Sequence, residues 1–380
     1  MKVRPLVASN AQPSATVAFQ WAMGAAAIVL SAGGVLDNWA HFHGLVDHSF
    51  FTPWHAVMYG MMATLGIVLG SLALANVRKG YRPNQSLPPG YLLSLTGVFV
   101  FIVAGLLDLG WHLMFGIEQA TEAFVSPTHI FLCVGGLLAG TGPLRAAYLT
   151  LAPATTRGWR SLGPMLLSAM GALIALGIFT QIVSPMNDLF AAKDAANTSG
   201  TFLLNSQSFG IAEMIIQTML LMGMVLLLVR TWALPFGAMT LLVGLPSLTQ
   251  LLMRDHYWLI LGVVGTGLVA DLVLLRLSPP LEVTRLYYLA ALVPTIYGAS
   301  MFVVLMLTDG LQWSANMVLG SLLYTSATGL FLAFLLDWPV KLRLRNSEQA
   351  DPGDKSATNF RRLRVFSEFC GLRATVESKH

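Results

Sequence analysis

Apolar runs of about 18 to 25 residues follow one another along almost the whole chain, separated by short polar connections. They fall near residues 17–41, 53–77, 91–114, 128–150, 161–183, 207–229, 235–253, 257–276, 286–307 and 314–337. A run of this length, wound as a helix, spans a bilayer core of about 30 Å and satisfies its own backbone polar groups. The pattern therefore predicts an all-α fold, a polytopic integral membrane protein of about ten transmembrane helices. Three regions follow from it: residues 1–150 with four spans, 151–338 with six, and a polar segment, 339–380, expected to be a disordered cytoplasmic tail.

Composition excludes the soluble globular class: 55% of residues are hydrophobic, 11% are charged and the mean hydropathy is +0.68. Lys and Arg gather in alternate connections, at Lys2 and Arg4, Arg78 to Arg82, Arg145 to Arg160, Arg230, Arg276 and Arg285, and the tail. With ten spans all of these share one side, which by the positive-inside rule makes both termini cytoplasmic in a bacterial inner membrane. The net charge of +4 is then a topology signal, so no nucleic-acid partner is expected. The expected partners are the lipid bilayer and other membrane subunits or a redox partner. The first run leads straight into Asp37 and His41 without a small-residue cleavage site and is read as a span rather than a signal peptide. Cys133 and Cys370 supply neither a disulfide framework nor a thiolate cluster.

The chemistry lies in a motif written twice. Gly-x-Leu-Asp-x-x-x-His, a polar connection and Ser/Thr-Pro-x-His occur as Gly34, Leu36, Asp37, His41, Thr52, Pro53 and His55, then as Gly105, Leu107, Asp108, His112, Ser126, Pro127 and His129. Asp and His four residues apart share one helix face. Thr52 or Ser126 as N-cap, with proline as first helical residue, puts His55 and His129 in the first turn of the next helix. Each copy thus predicts a helical hairpin that gathers one carboxylate and two imidazoles at one end, the inventory of a metal site. Asp37 to Asp108 and His41 to His112 are each 71 positions apart and His55 to His129 is 74, so the second connection is three residues longer. The competing reading of each trio is a hydrogen-bonded Asp–His helix terminus.

Further polar residues are expected at the same membrane face. Glu118, Glu122 and Asp255 are the candidates for proton relay, with Arg254 and His256 beside Asp255. His43, Asp47 and His48 read as a solvated connection, with added ligation as the alternative, and Glu213 and Asp271 read either as partners in a buried polar path or as groups satisfied by backbone or a neighbouring helix. Trp39, Trp54 and Trp111 suit an interfacial belt.

Asp37-Asn-Trp-Ala-His41 with Phe51-Thr52-Pro53-Trp54-His55 resembles the metal-binding segment of the C subunit of the copper membrane monooxygenases, particulate methane and ammonia monooxygenase. The likeness covers about twenty residues of each copy; the duplication and the larger number of spans depart from that family. It implies Asp37, His41 and His55 as copper ligands and, by internal similarity, Asp108, His112 and His129. Imidazole with carboxylate and no thiolate suits copper(II), zinc or iron, and the resemblance tips the choice to copper. The expectation is one dinuclear or two mononuclear sites in a membrane metalloprotein, and a copper-dependent oxidoreductase acting on a small or lipophilic substrate. The alternatives are a metal-ion transporter and a bis-His haem protein without enzymatic activity.

Overall fold

A computed structural model describes residues 12–45, 52–116, 126–152, 156–180, 200–253, 255–277, 283–308, 310–311 and 313–350. Every long element among them is an α-helix. In chain order these are α1 Val17–Phe42, α2 Pro53–Arg78, α3 Leu92–Phe115, α4 Pro127–Gly140, α5 Gly142–Thr150, α6 Trp159–Phe179, α7 Gly200–Thr231, α8 Ala238–Met253, α9 Ile260–Leu277, α10 Val283–Thr308 and α11 Ala315–Ala350. Among the described residues, eight helices are long and apolar enough to cross a membrane, and α4 with α5 makes a ninth if that bent pair is one span. The run near 235–253 forms α8, whose 16 residues fall short of that length. The outward surface is apolar, with Ile67, Leu113 and Leu307 among its most exposed side chains, as lipid requires.

The predicted caps organise the helix starts. Thr52 Oγ1 accepts the N–H of His55 and Ser126 Oγ that of His129, each followed by proline at the first helical position. The run expected as one span near 128–150 is bent by 41° between α4 and α5. Pro143 lacks the N–H that would have bonded the Ala139 carbonyl, so the ladder breaks there. Arg145, one of the charges that marked the cytoplasmic side in the sequence, turns inward across this bend and donates to the carbonyls of Leu138 at 2.8 Å and Gly90 at 2.9 Å.

Glycine sets how closely the helices approach. A Cβ at Gly97 would lie 2.5 Å from the Ala139 N, and one at Gly135 would lie 2.7 Å from the Phe101 N, so α3 and α4 pack backbone against backbone. Gly33 plays the same part between α1 and α2, where a Cβ would meet the Met58 N at 2.9 Å. One apolar cluster joins α1 to α5 around Met62, Leu65, Leu69, Tyr91 and Phe101, and a larger one fills α6 to α11 around Met170, Leu226, Trp232, Leu242 and Leu289. Helix α1 also packs on α6, with Val35 against Ile174, Ile178 and Met253.

Candidate metal centre

The close α3–α4 contact carries through to the ends of both helices, where the second motif converges. Asp108 Oδ2 lies 3.4 Å from His112 Nε2, and Oδ1 lies 3.8 Å from His129 Nε2. One donor atom from each of the three residues falls within 4.8 Å of the others. Asp108 is 1% exposed, and its Oδ1 accepts the Thr128 hydroxyl at 2.7 Å. Ser126 Oγ, besides capping α4, lies 2.6 Å from His129 Nδ1. His112 Nδ1 is 3.2 Å from the Gly116 carbonyl, which can only accept, so this nitrogen carries the proton.

In the first motif both imidazoles approach Asp37, but one donor atom from each of the three residues does not come within 4.8 Å of the others, as it does in the second. His55 Nε2 lies 3.1 Å from Asp37 Oδ1, and His41 Nε2 lies 3.9 Å from Asp37 Oδ2. Asp37 Oδ1 is closed off from solvent and receives no well-directed hydrogen bond, the His55 approach notwithstanding. The position corresponding to Thr128 is Trp54, which has no hydroxyl to give. Side-chain exposure reflects the difference: 22% at Asp37 and 36% at His41, against 2% at Asp108 and 14% at His112.

The two sets are neighbours. His41 senses the charges of His112 and His129 as well as those of Asp37 and His55, and Tyr59 senses both Asp108 and Asp37. Tyr59 stands one turn beyond His55 with its ring edge-on to that imidazole, the centroids 5.8 Å apart. Its ring crosses to α3, where a Cβ at Gly105 would lie 2.6 Å from Cε1 and 2.9 Å from the phenol oxygen. The motif glycines therefore serve different neighbours, Gly105 admitting Tyr59 and Gly34 facing Ile178. Tyr59 had no signal in the sequence beyond its place one turn after His55.

The remaining candidates separate. Glu118, Glu122, Asp47, His48 and Arg254 lie outside the described residues. Asp255, with φ at +60°, holds His43 rather than joining either trio: His43 Nε2 lies 3.0 Å from Asp255 Oδ2, and the Tyr257 hydroxyl donates to Asp255 Oδ1. The Trp39 carbonyl and the Asp255 carboxylate, both accepting from the His43 ring, hold its pKa above the usual histidine value. Asp255 in turn is held below the usual carboxylate value by the Tyr257 hydroxyl and by His43. Trp39 lies tilted against His43, with 4.4 Å between ring centroids. Asp271 follows the second of its two readings, satisfied by a neighbouring helix: it closes the start of α8 by accepting the N–H groups of Met239 and Thr240 at 3.0 Å each and the Thr240 hydroxyl at 2.6 Å. Glu213 is buried in α7 and accepts Gln217 Nε2 at 2.5 Å.

Bonds of about 2.0–2.2 Å to nitrogen and oxygen in tetrahedral geometry separate the donors by roughly 3.4 Å, the distance of Asp108 Oδ2 from His112 Nε2, while Oδ1 stands wider from His129 Nε2 at 3.8 Å, so the second set could hold a small ion. In the first set the solvent-shielded Asp37 Oδ1 offers an ion a lone pair that no directed hydrogen bond takes up. No protein-family model, curated protein or solved structure matches the chain.

Proposed function

We propose that this chain is a ten-span integral membrane metalloprotein with both termini cytoplasmic. Its two Asp/His sets hold copper at adjacent positions of one centre, which carries oxidoreductase chemistry on a small or lipophilic substrate entering from the bilayer. The observation that carries the reading is the convergence of Asp108, His112 and His129, whose donor atoms lie within 4.8 Å of one another on a buried carboxylate. The approach of His112 Nε2 to Asp108, the shielded oxygen of Asp37 and the meeting of the two hairpins at Tyr59 and Gly105 support it. The sequence resemblance of the first motif favours copper over zinc and iron. Bound copper supplies Lewis acidity and one-electron chemistry.

The protein's own contribution is orientation. Thr128 fixes the Asp108 carboxylate, and the Gly116 carbonyl fixes the His112 ring with Nε2 inward. Tyr59, edge-on to His55 and with its phenol oxygen against Gly105 of α3, would hold a hydrogen bond at the junction of the two sets.

Elemental analysis of detergent-purified protein tests the proposal. Wild type should retain copper after reconstitution and dialysis, and Asp108→Ala and His112→Ala should lose it. Zinc or iron in its place corrects the metal, a Soret band assigns haem, and no retained transition metal overturns the reading. Cysteines at positions 49 and 82 should label from opposite sides of sealed membranes; labelling from one side refutes the topology.

A further inference from the structure

Away from the metal centre, α6, α7, α8, α10 and α11 surround a cavity of about 80 Å³. It lies across α6 from the Asp37 turn of α1, since Gly177 lines it while Ile174 and Ile178 pack against Val35. A buried water needs only about 10–15 Å³ of such space, so the cavity has room for an organic molecule of several non-hydrogen atoms. Its wall carries a belt of neutral polar side chains, Gln217 of α7, Ser247 and Gln250 of α8 and Tyr297 of α10. The Tyr297 hydroxyl is 3.1 Å from Ser247 Oγ. Gln217 Nε2 donates to Glu213 Oε1 and, at 3.2 Å, to Gln250 Oε1. Because a carboxylate oxygen accepts, the first bond fixes which way the Gln217 amide is turned, and the second then fixes Gln250. Neither bond uses Gln217 Oε1, an acceptor, or Gln250 Nε2, a donor. Gln250 Nε2 reaches α6 at the cavity wall, where a Cβ on Gly177 would overlap it.

The belt stands over an apolar floor. Helices α6 and α8 begin, and α7 ends, at one level, where Trp159 Nε1 donates to the Phe236 carbonyl in the α7–α8 connection. One turn from the belt toward that level, Leu173, Leu220, Leu221 and Val243 line the cavity. Pockets of this kind take a ligand whose body is apolar and whose few polar atoms meet fixed partners. A hydroxyl donates and accepts at once, so one such group answers both Gln217 Oε1 and Gln250 Nε2. A carboxylate or ammonium would exchange its hydration for neutral dipoles and is far costlier to bring in. Helices α6, α7, α10 and α11 are each long and apolar enough to cross a membrane, so the site adjoins lipid, where a short alcohol partitions and an ion does not.

We infer that this cavity is a binding site for a neutral short-chain alcohol, its hydroxyl between Gln217 Oε1 and Gln250 Nε2 and its carbon chain on the leucines of α6 and α7. The site is separate from the metal centre and uses none of its residues. A chain that holds no copper leaves this inference standing, and a cavity that takes no alcohol leaves the copper reading standing.

The test uses full-length protein in detergent and a diazirine-bearing butanol, photolysed over a concentration series, with the labelled residues located by peptide mass spectrometry. Labelling should saturate, fall on residues that line the cavity, and be displaced by n-butanol but not by equal concentrations of butyrate or butylammonium. Gln250→Leu nearly keeps the volume and removes the amide, and it should weaken binding by about two- to tenfold, the loss of one hydrogen bond. Gly177→Ala keeps every polar group, but its Cβ must push the Gln250 side chain aside. It should weaken binding to a similar degree with copper content unchanged, and it carries the test if Gln250→Leu fails to fold. Labelling that rises linearly with concentration, or that falls only outside the cavity, overturns the inference, as does wild-type affinity in both variants. Displacement by butyrate or butylammonium as effective as by n-butanol also overturns it.

Discussion

Replacing Thr128 by valine removes one hydroxyl and almost no volume at a position that is 6% exposed, so packing at the start of α4 is preserved. What disappears is the 2.7 Å hydrogen bond to Asp108 Oδ1. His129 Nε2, the nearest other donor among the described residues, stands 3.8 Å from that oxygen, beyond hydrogen-bond range. A hydrogen bond to a buried charge contributes about 1.5–3 kcal/mol, and the carboxylate also regains rotational freedom about its last torsion. If that whole loss falls on ion binding, affinity at the second set drops by about 10- to 150-fold, the range seen when an outer partner of a ligand is removed. Titration of the reconstituted protein against a chromogenic copper chelator should resolve two steps in the wild type. Only the tighter one should weaken in Thr128→Val, because Asp37 has no such anchor to lose. Equal weakening of both steps, or less than about a twofold change in either, would refute the assignment of Thr128 as the group that orients Asp108.

Gly105→Ala should destabilise the protein by about 1–3 kcal/mol, since its Cβ would press on Tyr59 at 2.6 Å, and Tyr59→Leu in the same chain should restore much of the loss; no rescue in thermal unfolding rejects the contact. Asp271→Ala leaves two N–H groups at the start of α8 unmet and should cost on the order of 2–4 kcal/mol with copper content unchanged; a fall in copper would instead restore Asp271 to the polar path. His41→Ala should lower metal content at both sets rather than halve it if they form one centre, since the hairpins meet at Tyr59 and Gly105; retention of half the copper with an unaltered spectrum makes the sets independent. The His43–Asp255 contact should persist from below the ordinary carboxylate value of 3.8 to above the ordinary histidine value of 6.5, Asp255 being lowered and His43 raised. It should be lost as pH climbs through the raised histidine value or falls through the lowered carboxylate value, and amide exchange at residues 255–258 that is flat with pH would contradict it.

Local rules made much of the site readable from residue order. Asp and His four apart, and Thr or Ser followed by proline, are short-range instructions, and the caps on His55 and His129 form as the spacing demands. Every apolar run is helical for the same reason, although the pattern could not show that Pro143 would bend one of them or that Arg145 would turn inward to hold the bend. Contacts between distant segments left no comparable mark. Thr128 reads as an ordinary helix-start residue until α3 brings Asp108 against it, 20 positions away in the chain. His43 reads as part of a solvated connection, yet its partner Asp255 lies 212 positions further on. Asp271 looked like an unsatisfied charge in a span because its acceptors' partners belong to the preceding helix.

The two sequence copies have become unequal in their neighbours while keeping their ligand types. At the second, Asp108 is buried, anchored by Thr128 and set by backbone-to-backbone packing of α3 on α4, so its donors hold fixed positions with little need of an ion to order them. At the first, the corresponding threonine is Trp54, the carboxylate oxygen is shielded without being satisfied, and His41 is the most exposed of the four histidines. On the proposed reading, the more exposed Asp37 and His41 would be the side open to an exchanging ligand, and the buried Asp108 the side that retains its ion. Tyr59, edge-on to His55 of the first set and against Gly105 of the helix that carries Asp108, joins the two hairpins at this end.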